Sequence, residues 1–241
     1  IGDLPGSDVM EALKKGRIWL NLRQVQDVDV RYARLLESMF AEFEQLVPGL
    51  KTFNQNIGIL ISSPKAQVFY HADIPGQSLW QLVGNKRIYI YPNTEPFLHM
   101  RSMEDMILGE IEEDIPYEKW FDDYAEVHDL EPGQMMHWGL NGPHRVENAD
   151  CMNISVTTEH FTDDIRRSYA VHYANGVLRK NLGMQPKHSI HGPAVYPKMA
   201  LALAWKKLNL HKSRQLIRRF EFRPDPSAPE GFVDMPVTVR Q

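Results

Sequence analysis

The sequence predicts a mainly β domain, a sandwich or barrel with helices on both flanks. Three observations carry this expectation. Between about residues 55 and 161 the chain breaks into short β-type runs separated by Gly, Pro and Asn turns. Ahead of that stretch, from 27 to 47, apolar residues recur at helical spacing, and from 162 onward the helical pattern returns. With 241 residues and 43% hydrophobic content the chain can bury one sizeable core. One domain over 1–241 is therefore expected, with a β core at about 55–161 and a C-terminal helical annex at about 162–241.

Taken in order, Tyr32, Leu35, Leu36, Met39, Phe40, Phe43, Leu46 and Val47 line one face of the first helix, which Pro48-Gly49 stops. Strands are expected at 57–62, 67–73, 78–83 and 86–91, with Gly84-Asn85 as a tight turn between the last two. Residues 103–126 are crowded with acids, among them Glu104, Asp105, Glu110, Glu112 and Glu113, and read as a solvated insertion in preference to a substrate lid. Strands resume at 126–130, 135–138, 145–148 and 151–157, with turns at Pro132-Gly133 and Asn141-Gly142-Pro143. Helices are expected from 162 to 181 and from 195 to 220. The last carries Lys198, Lys206, Lys207, Lys212, Arg214, Arg218 and Arg219, read first as a solvated face and second as a partner for the acidic insertion. Such helices cover an open sheet edge or form a homodimer contact.

Net charge of −4 and a pI near 6.2 give no global drive towards nucleic acid or an anionic membrane. Neither partner is expected. A lone Cys151 forms no internal disulfide, which fits a reducing compartment, and no apolar run is long enough to span a bilayer. A cytoplasmic location is the expectation. The chain opens at Ile1 without an initiator Met and without an apolar signal region, which leaves room for preceding sequence.

The chemistry lies in Gln67-Val-Phe-Tyr-His71-Ala-Asp73. Strand alternation sends His71 and Asp73 to one face, so both can reach one ion. Non-haem Fe(II) oxygenases use two imidazoles and one carboxylate on one face of an octahedron and leave three positions for a chelating oxoacid and dioxygen. The third ligand has to come from another strand. His144 and His137 are the rivals, and His137 reads more simply as a strand residue.

The spacing resembles both motifs of the cupin superfamily. The first, His-x-His, three residues, Glu, six residues, Gly, becomes His71-x-Asp73, Gln77 and Gly84. The second matches Gly133, His144 and Asn148 in register, with Gly139 in place of its Pro and Asn141 in place of its Gly. The resemblance covers roughly 55–161 and implies a double-stranded β-helix, the cupin or jelly-roll fold, with N- and C-terminal flanking helices. Within the superfamily the acidic second ligand resembles the JmjC and cupin-like 2-oxoglutarate oxygenases, nearest to the type of the asparaginyl hydroxylase that inhibits hypoxia-inducible factor. In that branch a lysine thirteen residues beyond the acidic ligand holds the distal carboxylate of 2-oxoglutarate; here that residue is Lys86.

What the resemblance implies is a metal set of His71, Asp73 and His144, Fe(II) and 2-oxoglutarate as cofactors, and dioxygen as co-reactant. The substrate is an unidentified protein side chain or small molecule, hydroxylated or, at an N-methyl carbon, demethylated. Charge accounting points the same way. Gln77 replaces a Glu that many cupins add, so the site keeps one net positive charge, and with Lys86 it balances the oxoacid dianion. Gln77 is then a donor to the oxoacid or to a metal-bound water, or equally a polar residue at a strand start. Gln81 and Thr157, on polar strand faces, are further candidates for the cosubstrate pocket. The other histidines, His188 and His191 included, read as structural, with those two exposed. The alternatives are a cupin dioxygenase without an oxoacid, in which Lys86 has no task, and a non-catalytic cupin-fold binding protein.

Overall fold

The computed structural model describes residues 4–113, 115–210 and 219–239. Its elements are α1 (Gly6–Lys15), β1 (Trp19–Leu22), α2 (Val30–Leu46), β2 (Phe53–Ser62), β3 (Gln67–His71), β4 (Gly76–Val83), β5 (Lys86–Ile90), α3 (Met100–Ile107), β6 (Glu126–Leu130), β7 (Met135–His137), β8 (His144–Asn148), β9 (Asn153–Phe161), α4 (Asp163–Leu182), α5 (Val195–Lys207), β10 (Arg219–Pro224) and β11 (Phe232–Val239).

The strands form two antiparallel sheets, ordered β1-β2-β9-β4-β7 and β3-β8-β5-β6, and a separate β10-β11 hairpin. From β2 to β9 the chain crosses repeatedly between the two sheets. That winding is the double-stranded β-helix, or jelly roll, expected from the sequence. Alternation along each strand supplies the inner wall: Leu60, Leu79 and Met136 of the larger sheet meet Val68, Ile88, Leu130 and Val146 of the smaller one. On the outer face of the larger sheet, Ile57, Ile59, Trp80 and Val156 pack against Leu36, Phe40 and Phe43 of α2. Of the apolar stripe read from residues 27–47, Tyr32, Leu36, Phe40 and Phe43 make this contact, while Leu35, Leu46 and Val47 are exposed. Asp29 caps α2 by accepting from the Arg31 backbone N–H.

Three expectations change. Residues 103–126 are no solvated insertion: Met103, Met106, Ile107, Leu108, Ile115 and Phe121 are buried in the largest apolar cluster, against Tyr70 of the smaller sheet, Tyr91 just beyond β5, and Ala170, Tyr173 and Val177 of α4. The dense acids hid a helical apolar face beneath them. Among the described residues, three of those acids pair with α4 rather than with the last helix. Glu104 and Asp105 receive Arg179, and Asp105 and Glu110 receive Lys180. Finally, α5 stops at Lys207 and does not run to 220, because Asn209 takes a left-handed φ of 52°. Arg219 begins a strand, while His211, Lys212, Arg214 and Arg218 lie outside the described residues. The α1 helix, β1 and the terminal hairpin carried too little periodicity to be anticipated.

Candidate metal centre

β3 and β8 are antiparallel neighbours, and His71 at the end of one is paired with His144 at the start of the other. Asp73 follows two residues beyond His71. The potential ligand atoms of His71, Asp73 and His144 all lie within 4.8 Å of one another, the one group of three or more such residues found among the described residues. Nε2 of His144 stands 3.5 Å from Asp73 Oδ2, and the two imidazole rings are 4.1 Å apart. His137, the rival, is elsewhere: its Nδ1 meets the Gln77 carbonyl at 2.7 Å and its ring stacks on His160.

The surroundings orient each ligand. Both imidazoles direct Nδ1 to a backbone carbonyl, His71 to Phe69 at 2.7 Å and His144 to Gly142 at 3.0 Å. An Nδ1–H donated there leaves Nε2 unprotonated, the tautomer that binds a cation. Gln77, with its amide nitrogen turned to the carboxylate, donates to Asp73 Oδ1 and Oδ2 at 3.2 and 3.3 Å. Its place is therefore behind the acidic ligand. Asn141 donates to the Asp73 carbonyl at 2.7 Å and has a left-handed φ of 58°. It sits where the second motif has Gly, and Asn tolerates that conformation. Trp138 closes the site, its ring 4.3 Å from that of His144 and its indole N–H directed at the Asp73 carboxylate. The sequence reading gave Trp138 and Asn141 no task. An Asn in a motif glycine position was the signal for the second; none marked the first.

Electrostatics favour an added cation. Burial, with Glu113 and Glu159 nearby, pushes the Asp73 carboxyl up to about 8, and burial, with His71 alongside, holds His144 well below the usual imidazole range. A buried His and Asp 3.5 Å apart thus gain little as an ion pair of their own. Two neutral imidazoles and a carboxylate backed by an amide donor match the 2-His-1-carboxylate set that holds non-haem Fe(II).

Lys86 opens β5, in register with Leu130 and Asn148. Its alternation with the fully buried Ile88 turns it into the barrel, where it is 4% exposed. Burial, with no described carboxylate acting on it, brings its ammonium down to about 8. Arg87, one residue on, faces outward and is paired with Asp129 at 2.7 Å. Gln81 is also inside, but its amide is committed to the protein, donating to the carbonyls of Val83 and Gly84 and to Asn153 and accepting from Ser155. Thr157 is inward-facing and 6% exposed. It lines a cleft of about 230 Å³ together with Asn21, Arg23, Asn56, Gly58 and Glu159. Among the other histidines, His188 is not an exposed loop residue but bonds Glu104 at 2.8 Å. Its partner lies 84 positions away, beyond the reach of sequence spacing.

No protein-family model matches the chain, and no curated protein matches it. Solved structures overlap it in part. The DMSP lyase DddQ from Ruegeria pomeroyi DSS-3 is similar over 45% of this chain and 39% of its own, at 10% identity and a TM-score of 0.29. A cupin superfamily protein from Desulfitobacterium hafniense DCB-2 is similar over 47% of this chain and 72% of its own, at 8% identity and a TM-score of 0.30. An oxalate decarboxylase is similar over 54% of this chain and 29% of its own, at 11% identity and a TM-score of 0.30. The chain thus spans well under half the length of the lyase and of the decarboxylase. Strand order, not these overlaps, defines the fold.

Proposed function

We propose that this chain is an Fe(II)- and 2-oxoglutarate-dependent oxygenase, working as one domain, that hydroxylates or N-demethylates a protein side chain or a small molecule. The observation that carries the reading is Lys86, a buried ammonium with no countercharge among the described residues, inside the same barrel as the two-His, one-carboxylate cluster. A lysine is almost never buried unless paired. A dicarboxylate chelated at the metal end supplies the missing partner. His144 is paired with Ile90, so Lys86 starts four residues along β5, about 13 Å of strand away. An extended lysine side chain and a five-carbon diacid together span that length.

His71, Asp73 and His144 would hold the iron, with Gln77 fixing the carboxylate and the Phe69 and Gly142 carbonyls fixing the imidazoles. When bound, iron, 2-oxoglutarate and dioxygen supply the oxidising chemistry, with succinate and carbon dioxide as coproducts. Lys86 binds the distal carboxylate. Trp138, Leu79, Ile88 and Val146 form an apolar wall that excludes water from the oxoacid. A cupin dioxygenase that binds its substrate directly to iron leaves Lys86 buried to no purpose.

The test is an anaerobic titration. Adding 2-oxoglutarate to the Fe(II)-loaded protein is expected to produce the weak visible charge-transfer band of the chelate, and air to release succinate slowly. A protein that loads Fe(II) but develops no band with the oxoacid is not this enzyme.

A further inference from the structure

The cleft beside the metal centre has features that neither iron nor the oxoacid uses. Its floor is the inner face of the larger sheet at the metal end. Asn56 and Gln77 flank Glu159 in register on β2 and β4, and Gln77 is the residue that donates to Asp73. Glu159 is therefore one cross-strand neighbour away from the metal ligands. Across the cleft stands Arg23, close enough to act on Glu159 yet not joined to it in an ion pair. Between them Thr157, 94% buried, presents a hydroxyl that no described side chain or backbone group engages. Paired with it is Gly58, where an added Cβ would lie 2.8 Å from Thr157 Oγ1 and 3.3 Å from the Leu22 carbonyl, so a side chain at that position would crowd the hydroxyl.

The segment that carries Arg23 is fastened over the cleft. Gln26 donates to Asn56 Oδ1 at 2.9 Å and accepts from the Ile57 backbone N–H at 3.2 Å. This double contact locks the strap at 23–27 to β2 and orients the Asn56 amide nitrogen away from the strap, towards Glu159. A cation and an anion held apart in the lining of one cleft, with an unengaged hydroxyl in the same lining, complement a ligand carrying both opposite charges.

We propose that this cleft binds the substrate of the oxygenase, and that the substrate is a free α-amino acid whose ammonium group is held by Glu159 and whose carboxylate is held by Arg23. The volume of about 230 Å³ suits a molecule of that size. A residue within a polypeptide lacks both charges. The assignment rests on the oxygenase reading for the reaction, but not for the binding.

The test is ligand-observed NMR binding on the full chain in three arms: the proteinogenic L-amino acids, their amides (ammonium without carboxylate) and their N-acetyl derivatives (carboxylate without ammonium). At least one free amino acid is expected to bind, with both single-charge forms at least tenfold weaker. Glu159→Gln should weaken the free amino acid about tenfold and no longer distinguish it from the N-acetyl form; Arg23→Gln should do the same with respect to the amide. Arg23→Lys should restore much of the affinity. The proposal is overturned if no free amino acid binds, if the N-acetyl form or the amide binds as well as the free acid, or if both glutamine variants keep wild-type affinity. Amino-acid binding that persists in a protein giving no 2-oxoglutarate band would instead overturn the oxygenase reading and leave the zwitterion site standing.

Discussion

Two buried charged regions of this molecule are built on opposite plans. In the helical annex, Glu104 is 3% exposed, and burial alone would push its carboxyl up. His188 and Arg179 outweigh that burial and hold it below the ordinary carboxylate range. Inside the barrel, Asp73 and Lys86 are buried to a similar degree, yet the carboxyl is driven up by burial with Glu113 and Glu159 nearby, and the ammonium down by burial that no described countercharge offsets. Where every buried charge has its partner, the interaction is spent on holding helices together. Where the partners are missing, the site is complementary to something that arrives from solution. Two regions rich in Asp, Glu and His, alike in composition, thus divide into architecture and chemistry.

The comparison is sharpest at the triad. His144→Ala is expected to abolish stoichiometric Fe(II) loading, read by metal analysis of the purified protein, while His137→Ala loads normally. Reversal of that pair would move the third ligand out of the barrel register. The annex should behave in the opposite sense. Arg179→Met leaves Glu104 with His188 alone and is expected to destabilise the fold by about 3 kcal/mol in urea, with metal loading per folded molecule unchanged. A stability loss too small to measure would make the annex network ornamental.

Lys86→Met comes next. Loss of the distal carboxylate's partner should weaken 2-oxoglutarate by about 30-fold, roughly 2 kcal/mol, with Fe(II) affinity nearly unchanged. Its effect on stability has the opposite sign to that of Arg179→Met, since removing an unpaired buried ammonium does not destabilise. The folded pKa near 8 lies below the ordinary 10.5. The unfolded chain therefore binds more protons between those values, so the penalty is fully present below about pH 8 and is relieved as pH rises towards 10.5. Oxoglutarate binding follows the other branch of the same equilibrium. It should be flat below about pH 8 and fall up to about tenfold per unit above it, measured by the anaerobic band. Affinity that stays level to pH 9.5 would remove Lys86 from the cosubstrate site. The smallest effect belongs to Arg87→Gln, whose exposed pair with Asp129 faces away from the barrel. Oxoglutarate affinity should change less than threefold.

The helix over 30–46, the eight core strands and the turn at Gly84 follow from periodicity and turn chemistry. The common facing of His71 and Asp73 follows from strand parity at the end of β3, and His144 from the resemblance to the second cupin motif. Each of these is a local pattern, or a register that strand pairing preserves. The acidic stretch misled because charge density was read as solvation. In the fold its apolar residues face inward at helical spacing, and its acids meet Arg179 and Lys180 about 70 positions away. Gln77 was legible as a polar candidate beside the site, but its hydrogen bonds to Asp73 depend on the turn between β3 and β4.

By itself, then, the sequence determined what neighbours along the chain decide: alternation, turns, and the facing of His71 and Asp73 towards one point. Only the tertiary structure decided which buried charges keep their partners. Arg179 reaches Glu104, no described acid reaches Lys86, and Arg23 stands across an open cleft from Glu159. Those pairings are set by which strands and helices are brought side by side, and Coulomb's law acts through space, blind to distance along the chain.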